Sequence, residues 1–297
     1  MNTVECFFIL CPLIENAQIV NYTQPLGVQS FVGSAGLNLT RIRERIVLVA
    51  ATGGGKSKAI WSIAKAFPNN TIYAIDTEDK YRGIAESEGD FPTNMKHFQV
   101  FDWDSFHTAY MSFRDKAKPG DWITVDNGAD PWHWRMENFQ LEKVMSKPEN
   151  KKRTLEELRL TEGISDNDWG EVKRPWLNTI PYTMMRQRGI NLVLAARAKP
   201  FVRSFNKQTG LETIKGKGSE MEELVELDAS PDIYPSALGD ASVVVYLNRS
   251  GKLYFARILK RPGWVGVEEK IAIAEPVGFW NGYCKHLAID PKEVPCE

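Results

Sequence analysis

Cysteine and histidine are scarce, four of each in 297 residues. The cysteines keep to the ends, as Cys6, Cys11, Cys284 and Cys296, at spacings that fit no common zinc pattern. Neither a zinc module nor a disulfide scaffold is indicated, and free thiols in a reducing cytoplasm are expected. The histidines form no recognisable catalytic or metal set. Excess charge of either sign is also missing: 37 basic against 38 acidic residues give a net charge of −1. Bulk charge therefore announces no nucleic-acid partner, and any basic surface must be local. No apolar run approaches the ~20 residues that span a bilayer. The apolar start "VECFFILCPLI" lacks a basic leading region, carries Glu5 and is broken by Pro12, so it reads as a buried strand rather than a targeting signal. A soluble, cytoplasmic protein with no membrane partner is expected.

What the sequence does have is an alternation of buried strands and helices. Strands are predicted at Ile46–Ala50, Thr71–Asp76, Phe98–Phe101, Trp122–Asp126 and Asn191–Ala196, and helices at Lys56–Phe67 and Asp104–Ala117. A further helix carries Trp169, Val172, Trp176, Ile180 and Met184 on one face, with Pro175 and Pro181 expected to kink or interrupt it. "ASVVVYLNRSGKLYFARIL" reads as a hairpin turning at Asn248–Gly251. The class is α/β, a mostly parallel central sheet flanked by helices, plus a C-terminal β-hairpin. Three parts are expected: an N-terminal extension (1–40), a core (41–262) with a charged insertion at about 147–168, and a C-terminal appendage (263–297). Trp132 and Trp134 are assigned to the core or a subunit contact, and His133 to the surface.

The stretch Ala50–Ser57, "AATGGGKS", matches the Walker A pattern, with alanine at its first position where glycine is commoner. Glycines let the loop point its N–H groups at one anion, and the helix that follows adds its positive end. Nucleotide binding is assigned to Ala51, Thr52, Gly53, Gly54, Gly55, Lys56, Ser57 and Lys58. Lys56 would reach the β- and γ-phosphates, and the Ser57 hydroxyl would ligate Mg²⁺. Asp126, closing "WITVD", is the second metal partner. In "YAIDTEDKY" the carboxylates Asp76, Glu78 and Asp79 cluster at a strand's C-terminal end, where ligands bind in such sheets. Glu78 is the catalytic choice, together with Lys56 and Asp126. Tyr81 or Arg82 is expected against the adenine.

Walker A, then a strand ending "IDTE", then a Walker B aspartate followed by Asn127 rather than glutamate: this order resembles the RecA-type recombinase ATPases. It is similar in particular to the RecA-like ATPases of bacteriophages, including those that act as single-strand annealing proteins. The resemblance spans roughly residues 40 to 262 and is specific at Ala50–Ser57, Asp76–Glu78 and Asp126. It implies a RecA-type P-loop NTPase core using ATP and Mg²⁺, with Glu78 activating water. It also implies a homo-oligomeric ring or filament and single-stranded DNA as partner, in the host cytoplasm if phage-encoded. The γ-phosphate sensor position holds Ala195 and Ala196, so that role falls to Arg197 or is absent. A basic finger reaching a neighbouring subunit's ATP would be Lys260 or Arg261. After the sensor strand, where the family places a DNA-contacting loop, Arg197, Lys199, Arg203, Lys207, Lys215 and Lys217 face Glu212 alone, with Phe201 and Phe205 interleaved. The same stretch also reads as a surface hairpin around "NKQTG". The expected function is an ATPase coupling ATP binding and hydrolysis to single-stranded DNA binding in phage recombination, annealing or replication. The alternatives are a nucleotide-dependent assembly module without turnover and a small-molecule kinase with the charged insertion as its lid.

Overall fold

The computed structural model describes residues 44–89, 91–148, 164, 166–180, 185, 188–201, 203–205, 212–214, 222–234, 236–250, 253–260, 270–272 and 279–280. The extension 1–40, most of the charged insertion, Pro181, Met184, Lys207, Lys215, Lys217, Gly251 and Arg261 lie outside the described residues.

The first half alternates regularly: β1 (Arg45–Ala50), α1 (Lys56–Ala66), β2 (Ile72–Asp76), α2 (Lys80–Glu88), β3 (Met95–Gln99), α3 (Trp103–Lys116), β4 (Trp122–Asp126) and α4 (Ala129–Met145). There follow α5 (Trp169–Thr179), β5 (Asn191–Lys199), the short pair β6 (Arg203–Phe205) and β7 (Glu212–Ile214), α6 (Glu222–Glu226), β8 (Ser230–Asp232) and α7 (Ala237–Asp240). The hairpin β9 (Val243–Ser250) and β10 (Leu253–Lys260) and the edge strand β11 (Lys270–Ala272) complete the order. The main sheet runs β11-β10-β9-β1-β5-β4-β2-β3, and β8 pairs antiparallel with the end of β5. From β9 to β3 every pairing is parallel. This is the expected class, a mostly parallel sheet between helical layers with an antiparallel hairpin at one side.

Parallel strands buried on both faces are apolar at nearly every position, which is why "IVLVA", "WITVD" and "NLVLAA" are legible as strands. Alternate side chains then feed two cores. Val47 and Val49 of β1 face α3, α4 and α5, while Ile46, Leu48 and Ala50 face α1, with Trp61, Tyr81 and Trp280. Strand β3 differs from the expected Phe98–Phe101: it spans Met95–Gln99, in register with Ile72–Asp76. It is the sheet's edge and alternates buried and exposed positions, so Phe98 and Phe101 stay largely exposed and gave a misleading apolar signal. Strand β5 runs three residues past the expected Ala196 because β8 pairs with Arg197–Lys199. In the hairpin, Asn248 lies inside the ladder opposite Phe255, and Ser250 faces Leu253, so the turn begins later than Asn248.

Helix α5 passes through Pro175 instead of breaking there. Proline has no N–H to give the Glu171 carbonyl one turn back. The buried Arg135 supplies the missing donor, its Nη2 lying 3.3 Å from that oxygen. Helix α3 is fixed at its start by a capping box in which the Ser105 N–H donates to Asp102 (2.7 Å) and the Ser105 hydroxyl accepts from the Asp102 N–H (3.3 Å). Trp132 is buried and Trp134 packs against the same core, as expected.

The described part of 263–297 packs on this core. Trp280 is buried, its ring 5.0 Å from that of Trp122 and 5.7 Å from that of Phe67. Trp280→Ala is expected to destabilise the protein by about 3–5 kcal/mol, the range for deleting a buried large aromatic. Leu177→Ala, at an exposed position, should change stability by about 0.5 kcal/mol or less. Urea unfolding of the two variants against the parent checks both.

Candidate nucleotide site

Strand β1 ends at Ala50, and the chain turns through Ala51–Gly55 before α1 begins at Lys56. Gly53 (φ 76°) and Gly55 (φ 96°) adopt left-handed backbone that L side chains disfavour. Gly54 is required for a different reason. A Cβ there would stand 2.7 Å from the Ala50 Cβ and 3.0 Å from the Ala51 carbonyl oxygen. Together these constraints leave a loop of bare backbone at the helix N-terminus, open to an anion. It forms one wall of a cavity of about 330 Å³.

Lys56 is buried, and its ammonium donates to the carbonyls of Ala50 (3.1 Å) and Ala51 (3.4 Å). Burial lowers its pKa, with the Asp126 and Glu78 carboxylates pulling the other way. Asp126 is also buried, at the end of β4, and neither carboxylate oxygen has a hydrogen-bond partner of ordinary geometry. Burial pushes its pKa up to about 6, against the opposing pull of Ser57 and Lys56. An orphaned carboxylate beside a serine hydroxyl is a pair of hard oxygen donors, which suits Mg²⁺. Among the described residues no group of three or more acidic, histidine or cysteine side chains stands ready for a metal. An ion here would complete its shell with phosphate oxygens and water, as Mg²⁺ commonly does.

The three clustered carboxylates separate in the fold. Asp76 is fully buried and accepts from the Glu78 N–H (2.9 Å) and the Tyr81 N–H (3.2 Å), with His97 Nε2 3.2 Å away. Burial alone would raise its pKa, but these hydrogen bonds outweigh it and hold the carboxyl below its ordinary value. Asp76 therefore shapes the turn after β2 and does not face the cavity. Asp79, with φ 54°, precedes α2 at the surface. Glu78 alone lines the cavity. Thr77 anchors the turn, its N–H donating to the Asp126 carbonyl (2.7 Å) and its hydroxyl to Asp130 (2.5 Å).

Arg197 sits on β5 opposite Ala50 and lines the same cavity, where its guanidinium pairs with Glu78. The structure thus brings this basic residue to the phosphate loop. Lys199 lies 2.5 Å from Asp232 and Arg203 3.4 Å from Asp228. His133 also pairs with Asp232, at 2.8 Å. Burial favours the neutral acid, but His133 and Lys199 prevail and hold Asp232 at about 2. Phe201 is buried, so it is a core residue and not a base-stacking platform. Lys260 lies at the sheet end away from the phosphate loop, its ammonium 2.9 Å from both the Leu238 and Gly239 carbonyls.

The adenine expectation for Tyr81 is corrected. The ring is fully buried beneath the site, stacked on Trp61 at 6.4 Å, and Arg82 points outward to Glu86 (3.8 Å). Sequence reasoning missed Tyr254 of β10 and Ile84 and Ser87 of α2, which line the cavity. They carry no motif, and only the sheet order brings β10 near β1.

Because folding raises its pKa, an ionised Asp126 opposes folding. The penalty is absent below the unfolded carboxylate pKa, grows between about pH 4 and pH 6, and is full above that. Asp126→Asn is expected to stabilise the nucleotide-free protein at pH 8 by about 1–3 kcal/mol. Urea titrations of both proteins should show that gain vanishing near pH 4.

No protein-family model and no curated protein matches the sequence. Among solved structures the chain is similar to a crystal structure of the RadB recombinase, at 13% identity over 78% of this chain and 88% of that one, with a TM-score of 0.43. That likeness is too distant to transfer the role of any residue.

Proposed function

We propose that this protein is a RecA-type, Mg²⁺-dependent ATPase. The observation that carries the reading is the convergence of Lys56, Asp126 and Glu78 on one phosphate loop from three different elements. Strand β5 stands between the Walker A strand β1 and the Walker B strand β4, and β2 follows β4, so Glu78 approaches from beside Asp126. The loop N–H groups would receive the β- and γ-phosphates, and Lys56 would exchange two backbone carbonyls for phosphate oxygens. Ser57 and Asp126 would hold Mg²⁺, which would supply positive charge against that developing on the phosphate oxygens. Glu78 would accept a hydrogen bond from a water placed in line with the γ-phosphorus. The water oxygen bonds to phosphorus as the bond to the β–γ bridging oxygen breaks, and the water's proton passes to the carboxylate.

Coupling of this cycle to single-stranded DNA in phage recombination, annealing or replication is part of the same proposal, as is assembly into a ring or filament. The support is the basic run from Arg197 to Lys217. Two of its described members, Lys199 and Arg203, are matched by Asp232 and Asp228. Lys207, Lys215 and Lys217 of the same run lie outside the described residues. Lys260 is held by its own chain's carbonyls, so the finger role passes to Arg261.

Phosphate release is the direct test. The wild type should hydrolyse ATP, faster with single-stranded DNA, and Glu78→Gln should lose at least about 100-fold in rate, the scale for a removed general base, while still binding ATP. Binding without release in every condition would make the protein a nucleotide-dependent assembly module. Joint replacement of Arg203, Lys207, Lys215 and Lys217 by glutamate should abolish single-stranded DNA binding; unchanged affinity and salt slope would remove this basic stretch as the DNA surface.

A further inference from the structure

Arg197 and Glu78 form an ion pair that engages both groups. It spans the cavity from the end of β5 to the turn after β2, with Asp126 of β4 between the two strands. Both side chains keep partial access to solvent, 34% for Arg197 and 24% for Glu78, so the pair can separate without unfolding anything around it. Lys56 lies close enough to feel both charges. Among the described residues Arg197 is the one arginine on the cavity wall; of the lysines there, Lys58 is held by Glu88 at 2.5 Å.

A carboxylate that receives a guanidinium has less capacity to orient water. A guanidinium in turn favours a phosphate that presents two oxygens to its fork. We infer that Arg197 is an exchange switch that reads the third phosphate: it masks Glu78 until a nucleoside triphosphate arrives, then transfers to the γ-phosphate and frees the carboxylate for water. A diphosphate offers nothing at that position, so the pair persists or re-forms. Recognition of triphosphate and exposure of the base become one event, and the resting site holds its base in check. The inference rests on the nucleotide-site reading above.

Calorimetric titration with Mg²⁺ and either ADP or the β,γ-imido analogue of ATP separates the two ideas, because it measures binding without turnover. Arg197→Gln should weaken the imido analogue by about tenfold or more, the scale of a lost charge-assisted hydrogen bond, and leave ADP affinity within about twofold, below the resolution of such energetics. Glu78→Gln, which releases the guanidinium, should tighten the imido analogue and leave ADP unchanged. In the double variant the gain from Glu78→Gln should disappear. Arg197→Lys should recover part of the lost affinity, and it serves as the second probe if the glutamine variant does not fold. Equal weakening of both nucleotides by Arg197→Gln, or weaker analogue binding by Glu78→Gln, would overturn the switch while leaving a nucleotide site intact. A wild type that binds neither nucleotide would remove the nucleotide reading and the switch with it.

Discussion

The parallel register of β1, β5, β4 and β2 places their C-terminal ends side by side, with Ala50 opposite Arg197 and Asp76 opposite Asp126. Everything at the site depends on that pairing. The glycine-rich loop springs from the first strand, the Arg197 guanidinium from the second, the Asp126 carboxylate from the third and Glu78 from the turn after the fourth. Each residue alone is ordinary. Backbone ladders buried on both faces, with mostly apolar side chains, hold the four ends to a common line.

The same burial that fixes the site also strains its electrostatics. Lys56 and Asp126 are both taken out of water, and burial works against the charged form of each. Lys56 falls back on backbone carbonyls, and Asp126 finds no donor of ordinary geometry. The proposed ligand, which carries opposite charge and an ion together, would meet both buried groups. Its binding would then raise the stability of the folded chain as well as fill the cavity.

The elements legible in the sequence are those with a strong local cause. Continuous apolar runs marked β1, β4 and β5, and glycine followed by Lys-Ser marked the loop. Signals failed where the cause was distant. Strand β3 is an edge strand that carries Phe98 on its exposed face, with the exposed Phe101 just beyond its end, and α2 buries only Tyr81. Pro175 should have interrupted a helix, but its missing donor comes from Arg135, 36 positions away in the sequence. A count of charge along residues 197–217 leaves out Glu78, the partner of Arg197, which lies 119 positions away. Lys199 and Arg203 likewise meet carboxylates that lie outside the stretch in which they were counted.

The crowding at Gly54 also bears on how such a loop can drift over generations. Ala50 and a methyl group on residue 54 would compete for one small volume, 2.7 Å apart. Exchanging Ala50 for glycine would clear only that contact, because the same methyl would still stand 3.0 Å from the Ala51 carbonyl oxygen, which belongs to the backbone. The fifth position is thus held to glycine twice over, once by its neighbour's side chain and once by the loop's own main chain, whichever residue opens the loop.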